Sequence, residues 1–327
     1  MSENTTRTTT TRRGFVYSYH YTAPKDGKPT ILFLHGFPST HQDWAAQTTY
    51  FSDKGYGVIA PDLLGYGDTD APEDANKYWL VDMAGDIVDI LDDLGVDKVI
   101  GVGHDWGSAL LSRLINIQAD RILGVAFVAV GYWEPQPEFS IDAWIETFNK
   151  LVGYDVWGYW KFFEADDAHA VIEKHASSFS AFLAFPNDPA VWRSDLAPLN
   201  KAREWVEQNK QLPTAPFWTA EKQEAHKEAL LKKGLRGPCN WYRGFMSEGN
   251  KAAEASIKKE AYSINIPTFF AAALKDYVCV AELHKEGTRS FCSNVAIKDF
   301  DTGHWIMLES PNELNEALGN FIATLQK

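Results

Sequence analysis

The sequence predicts an α/β fold: a mostly parallel sheet covered on both faces by helices, with one helical segment inserted. Three observations predict it. Short apolar runs alternate with helical spacings over residues 14–131 and again over 262–327, the pattern of a parallel sheet built from βαβ units. Over 132–261 the alternation stops, and the chain reads mostly helical with breaks at Pro186, Pro189, Pro198, Pro213 and Pro216. Finally, Gly103-His104-Asp105-Trp106-Gly107 joins an apolar run to a helical pattern, the strand, sharp turn and helix of a nucleophile elbow. A chain of 327 residues, 45% of them apolar, suits one large domain carrying an insertion.

Taken in order, residues 1–13 hold six threonines and three arginines and no apolar stretch. They read as a flexible tail, and they lack the apolar core of a secretory signal. Phe15 to Tyr21 alternates like an edge strand, and Pro29 to Leu34 is a buried strand running into His35-Gly36-Phe37-Pro38. Val58 to Ala60 is the next strand, and Tyr78 to Leu94 has helical spacing. Lys98 to Val102 leads to the elbow, whose helix runs from Gly107 to about Ile117. Ile122 to Val130, Pro267 to Leu274 and Val295 to Phe300 complete the strands, and a last helix begins near Pro311. The inserted segment carries Trp133, Trp144, Trp157, Trp160, Trp192, Trp205, Trp218 and Trp241 of the 12 tryptophans. Singly, each is best read as packing inward. As a group they suggest a helical cap that roofs an apolar cleft.

Composition narrows the function. Against 44 acidic residues there are 31 basic ones, a net charge of −13, and no basic face for nucleic acid stands out. No apolar run is long enough to span a bilayer as a helix. Cys239, Cys279 and Cys292 are the three cysteines. They form no C-x-x-C pair, so neither a disulfide framework nor a cysteine metal site is expected. The expected location is cytoplasmic, the reducing default. No H-E-x-x-H or similar spacing points to a metal, and no cofactor is expected.

The chemistry follows from Asp105. A serine at the centre of an elbow suits attack on an acyl carbon. A carboxylate there suits displacement at a saturated carbon, giving an alkyl ester that water can cleave. The second step needs a base, and His304 follows the last strand in Asp301-Thr302-Gly303-His304-Trp305. The order nucleophile, acid, histidine then points to Asp276, just after the preceding strand. Asp301 is the rival, but three residues from His304 on one loop it is poorly placed to reach the far ring nitrogen. His35 and His104 read as residues that hold loop backbone. The carbonyl oxygen of the ester needs preorganised donors. The backbone N–H groups of Trp106 and Phe37 are the candidates; Pro38 has none to give.

These segments together resemble the epoxide hydrolases of the α/β-hydrolase fold. The resemblance rests on His35-Gly36-Phe37-Pro38, the Gly-His-Asp-Trp-Gly elbow, Asp301-Thr302-Gly303-His304, Tyr159-Trp160-Lys161-Phe162-Phe163 and Asn240-Trp241-Tyr242-Arg243. It runs from about residue 14 to the C-terminus, and it implies two cap tyrosines, Tyr159 and Tyr242, that donate to the epoxide oxygen. Phe162 stands where the family's second tyrosine of the first motif is common, and Tyr154 is the rival to Tyr159. Opening an epoxide leaves an alkoxide, so two phenols that donate to it make chemical sense. The expected substrate is a small apolar epoxide, lying against Phe37, Trp106, Trp160 and Trp305.

Two other readings stay in view. Haloalkane dehalogenases also place tryptophan after the aspartate, but their turn commonly reads H-G-N, and Phe37 has no side-chain donor for a halide. Haloacetate dehalogenases bind a carboxylate with arginines just after the nucleophile, whereas Arg113 is the first arginine here. A non-catalytic ligand-binding protein of this fold would be expected to have lost part of the set Asp105, Asp276, His304, Tyr159 and Tyr242.

Overall fold

The computed structural model describes residues 5–180 and 186–325. Among them eight strands form one sheet in the order β1-β2-β4-β3-β5-β6-β7-β8. The strands are β1 (Thr5–Thr10), β2 (Val16–Thr22), β3 (Thr30–Leu34), β4 (Gly57–Pro61), β5 (Val99–His104), β6 (Ile122–Val128), β7 (Thr268–Ala273) and β8 (Val295–Phe300). The sheet is parallel from β4 to β8, and β1 and β2 pair antiparallel at one side. Side chains alternate between two apolar layers, as period-2 geometry requires. Leu32 and Leu34 enter one layer, Ile31 and Phe33 the other. Both faces are therefore buried, which is why the central strands read as unbroken apolar runs.

The helices α1 (Ala45–Asp53), α2 (Leu80–Asp93) and α3 (Trp106–Gln118) cover the sheet with Ala281–Phe291 and Pro311–Thr324. The inserted region lies between β6 and β7. Its longer helices are Ile141–Val152, Ala220–Leu231 and Arg236–Met246. The buried pair Arg113–Glu254 ties α3 to this insertion: Arg113 Nε donates to Glu254 Oε1 at 2.5 Å, and its Nη1 donates to the Trp133 carbonyl at 2.5 Å. Neither side chain is solvent-exposed. A charge enclosed in this way holds only because its partner and carbonyls are present.

The N-terminal tail is corrected. Of residues 1–13 only 1–4 lie outside the described ones, and Thr5–Thr10 is a strand in register with β2 from Thr5↔Tyr21 to Thr10↔Val16. Threonine is β-branched and suits a strand. At an edge with little burial, no apolar alternation was there to read. Arg12 and Arg13 then anchor the segment on α2 through Asp89 and Asp86, at 2.5 and 2.6 Å. Helix α1 also escaped the sequence reading. Its buried residues, Gln47, Thr48, Phe51 and Ser52, are mostly polar.

Four tryptophans of the insertion, Trp133, Trp144, Trp157 and Trp160, pack on one another. Trp144 and Trp157 stack with ring centroids 4.5 Å apart, and Trp157 stacks on Trp160 at 5.5 Å. Among the described residues, only Trp192 of the eight lines the cavity above Asp105. The group is largely the core of the inserted region, and phenylalanine and tyrosine rings do most of the roofing.

Candidate active site

In an open parallel sheet, side chains gather beyond the carboxyl ends of the strands. Here β3, β5, β7 and β8 end beside one another in that way. The register Leu34↔Gly103 sets the turn after β3 against the elbow after β5. Ala273↔Phe300 brings the loops carrying Asp276 and His304 together.

Asp105 occupies a strained backbone conformation, φ 52° and ψ −123°, of a kind that persists only where the surroundings over-determine it. The surroundings here are glycines. A Cβ on Gly103 would sit 2.6 Å from the Gly107 carbonyl oxygen, and one on Gly36 would collide with the Asp105 side chain. Phe37 N–H donates to Asp105 Oδ1 at 2.8 Å, and Trp106 N–H supports the same carboxylate. Burial pushes the Asp105 carboxyl up from its ordinary range, while His304 and these two N–H groups pull it back. Oδ2 lies 3.7 Å from His304 Nε2.

The other ring nitrogen, Nδ1, meets Asp276 Oδ2 at 2.5 Å. Asp276 Oδ1 accepts the N–H groups of Val278 and Cys279, both at 2.9 Å. Although burial opposes it, the His304 charge, the hydrogen bond to it and these two donors hold the Asp276 carboxyl below its ordinary range. Burial works against the imidazolium too, yet the Asp276 charge and hydrogen bond, then Asp105, raise the His304 pKa. Asp301 turns outward and pairs with Lys275 at 2.8 Å. Under the expected ester mechanism, Asp276→Asn should slow ester hydrolysis on the order of 10⁴-fold, the loss seen when a triad aspartate is amidated. Asp301→Asn should leave it nearly unchanged. Single-turnover measurements that reverse this order would reassign the acid.

Tyr159 and Tyr242 face the carboxylate from the insertion, with ring centroids 6.3 Å apart. Burial drives both phenols well above their ordinary pKa, so both keep their protons. Tyr154 instead donates to the Tyr277 carbonyl at 2.7 Å and is not at the cavity. The cavity is about 20 Å³, room for about one water molecule. Phe37 and Trp305 line it, as do Phe163, Trp192, Leu196 and Val278. Trp106 and Trp160 lie one layer behind: their rings are 5.1 Å apart, and each meets Tyr242 edge-on at 5.1 Å. Trp106 thus contributes its backbone to Asp105 and its indole to the support of Tyr242.

Sequence reasoning missed several of these groups. Val278 could have been found, two residues after Asp276. Trp192 lies in a proline-broken stretch with no periodicity to read. Glu309 accepts the N–H groups of Gly303 at 2.8 Å and Trp305 at 3.2 Å, which clamps the loop on both sides of His304. His104 Nε2 is 3.0 Å from the His304 carbonyl oxygen, and His35 Nε2 accepts Leu63 N–H at 2.9 Å. Burial keeps both rings neutral, so His104 can donate and His35 can accept.

Comparison with known proteins gives a consistent picture. Residues 29–311 match the α/β hydrolase fold family. Epoxide hydrolase 2 of Siraitia grosvenorii is 30% identical over 304 residues, covering 90% of this chain and 92% of that one. Bifunctional epoxide hydrolase 2 of Rattus norvegicus is 29% identical over 304 residues and 90% of this chain, which spans only 52% of that longer protein. The crystal structure of epoxide hydrolase A from Mycobacterium thermoresistibile superposes with a TM-score of 0.79 at 27% identity, covering 97% of this chain and 98% of that one. With its eight-stranded sheet, its helical insertion between β6 and β7, and relatives of this kind along nearly its whole length, the chain belongs to the epoxide hydrolases of the α/β-hydrolase fold family.

Proposed function

We propose that this protein hydrolyses a small apolar epoxide to a vicinal diol through an alkyl ester on Asp105. The observation that carries the reading is the pairing across one small cavity. The Asp105 carboxyl, held by two backbone N–H groups, faces two protonated phenols. Asp105 Oδ2 attacks an epoxide carbon from one side while Tyr159 and Tyr242 donate to the ring oxygen from the other. The C–O bond breaks, one phenol delivers its proton, and the alkoxide becomes a hydroxyl. Oδ1, which already accepts Phe37 N–H, is then the ester carbonyl oxygen, with Trp106 N–H beside the same carboxyl group. Those donors stabilise the charge that forms when water attacks. His304 takes the proton of that water, and Asp276 orients the ring and stabilises the imidazolium. Collapse of the tetrahedral intermediate expels the diol oxygen, which takes the proton of the newly formed Asp105 acid; the proton held by His304 returns to the phenolate, so Asp105, His304 and both phenols are restored. The apolar lining favours an apolar substituent on the epoxide. The three free, buried cysteines suit a reducing, cytoplasmic setting.

The test is the fate of oxygen in one turnover of an aryl epoxide in labelled water. The label should enter Asp105 and not the diol, because water attacks the ester carbonyl. Label in the diol from that first turnover would mean that water opens the epoxide directly and that Asp105 is a general base. A protein that turns over a haloalkane but no epoxide would favour dehalogenation, although Phe37 offers no side-chain donor to a halide.

A further inference from the structure

Beside His304, three different donor groups converge. A carboxylate oxygen of Asp276, the thiol sulfur of Cys279 and a ring nitrogen of His304 all lie within 4.8 Å of one another, and all three residues are buried. The backbone carries the thiol there. Asp276 Oδ1 accepts both Val278 N–H and Cys279 N–H, so the chain wraps around the carboxylate and sets residue 279 against it. The catalytic sequence above makes no use of this thiol. Cys239 and Cys292 are free and buried as well, but no comparable donor cluster includes them among the described residues.

We propose that Asp276, Cys279 and His304 form an inhibitory site for one thiophilic divalent cation of the zinc and cadmium class, which replaces the proton between carboxylate and imidazole. The donor set suits that class: thiolate, carboxylate and neutral imidazole are each ligands of such ions. Thiolate and carboxylate together cancel the charge of the dication, so the buried complex carries none. Ion–ligand distances of about 2.0–2.3 Å require the Asp276–His304 pair to open by roughly 1 Å and the sulfur to move in by a similar amount. Magnesium and calcium prefer oxygen donors and should not bind.

The protons account for the inhibition. The thiol proton leaves to solvent as the sulfur binds. With Nδ1 on the cation, the remaining imidazole proton sits on Nε2, the nitrogen that faces Asp105. A ring in that state cannot accept a proton from water. Ester hydrolysis therefore stops, while ring opening by Asp105 does not need the base and continues once. The kinetic part of this inference rests on the proposed ester mechanism; the binding part does not.

The experiment is a cadmium titration of the purified protein, read by the thiolate-to-cadmium absorption band and by epoxide turnover. The wild type should gain the band at one equivalent and lose turnover in step with it. EDTA should reverse both, and magnesium should produce neither. C279S and C279V, checked for fold by circular dichroism, should lack the band, with inhibition read against each variant's own metal-free turnover. Their half-inhibition should move up by at least about tenfold, since even outer-sphere partners of a metal contribute that much. Both variants are included so that failure of one to fold leaves the other to report, and C292S should behave as wild type. A wild type without the band, or Cys279 variants that keep it, would overturn the site. A band that disappears in the variants while inhibition stays unchanged would overturn its inhibitory role. If the protein proved not to act on epoxides at all, the band would still decide the site by itself.

Discussion

Replacing His304 with glutamine should leave a protein that opens one epoxide and then stalls. Intact mass spectrometry after mixing with excess substrate should show nearly all molecules heavier by one substrate, where the wild type shows little. In the proposed mechanism Asp105 and His304 divide the labour, and Asp105 attacks as a carboxylate that needs no base. Water at the ester carbonyl does need one, and the ring that supplies it stands 3.7 Å from Oδ2. The same division sets the pH dependence. His304 works only when neutral, and Asp276 and Asp105 raise its pKa above the usual histidine value. Ester hydrolysis should therefore fall as pH drops through that raised pKa and level off above it. If the glutamine variant remains unmodified while free epoxide is present, the first step needs the imidazole, and the two-step scheme is wrong.

The second large effect concerns the phenols. Tyr159→Phe or Tyr242→Phe should each slow ring opening by about 3–4 kcal/mol of barrier at most, the cost of losing one preorganised donor. The double substitution should lower the rate by roughly 10⁴-fold or more, because no second phenol remains to share the developing charge. Single-turnover rates of ester formation are the measurement, since the later hydrolysis should be untouched. Fold should survive in both: each ring keeps its edge-on packing, Tyr242 against Phe37 and Trp106 at 5.1 Å and Tyr159 against Phe163 at 5.6 Å. A double variant with near-normal ester formation would assign the proton to another group.

Much of this arrangement was legible in the sequence, and the parts that were not share a physical cause. The parallel strands were readable because burial on both faces leaves uninterrupted apolar runs. The elbow was readable because its glycines are required: Gly103 and Gly107 have no room for a Cβ. Strand β1 and helix α1 were not readable, because neither carries the apolar periodicity that burial imposes. In the site, Asp105, Asp276 and His304 follow strand ends, and strand ends can be located from pattern. The cavity wall cannot: Trp192 and Leu196 come from a proline-broken stretch whose path is fixed only by long-range packing. Trp106 and Trp160 were expected against the substrate because they are aromatic and adjacent to functional positions. Adjacency along the chain does not say which ring stands in front. Cys279 was read only for what it lacked, a second cysteine nearby. Its neighbours in space include a histidine 25 residues farther along the chain.

The open sheet has a consequence for how copies of this protein meet. Among the described residues its two outermost strands, β1 and β8, each leave a line of backbone donors and acceptors without a strand beside it. Such a line is a template on which another chain can crystallise into a growing ribbon. Here one border is threonine and Arg7, and the other carries Lys298 and Asp299, which are engaged by Glu313 and Lys285. A second molecule pairing along the β1 border would have to strip water from hydroxyls and a guanidinium and would gain almost no apolar contact in return. The threonine tract of β1 thus makes that border a poor template for a further strand.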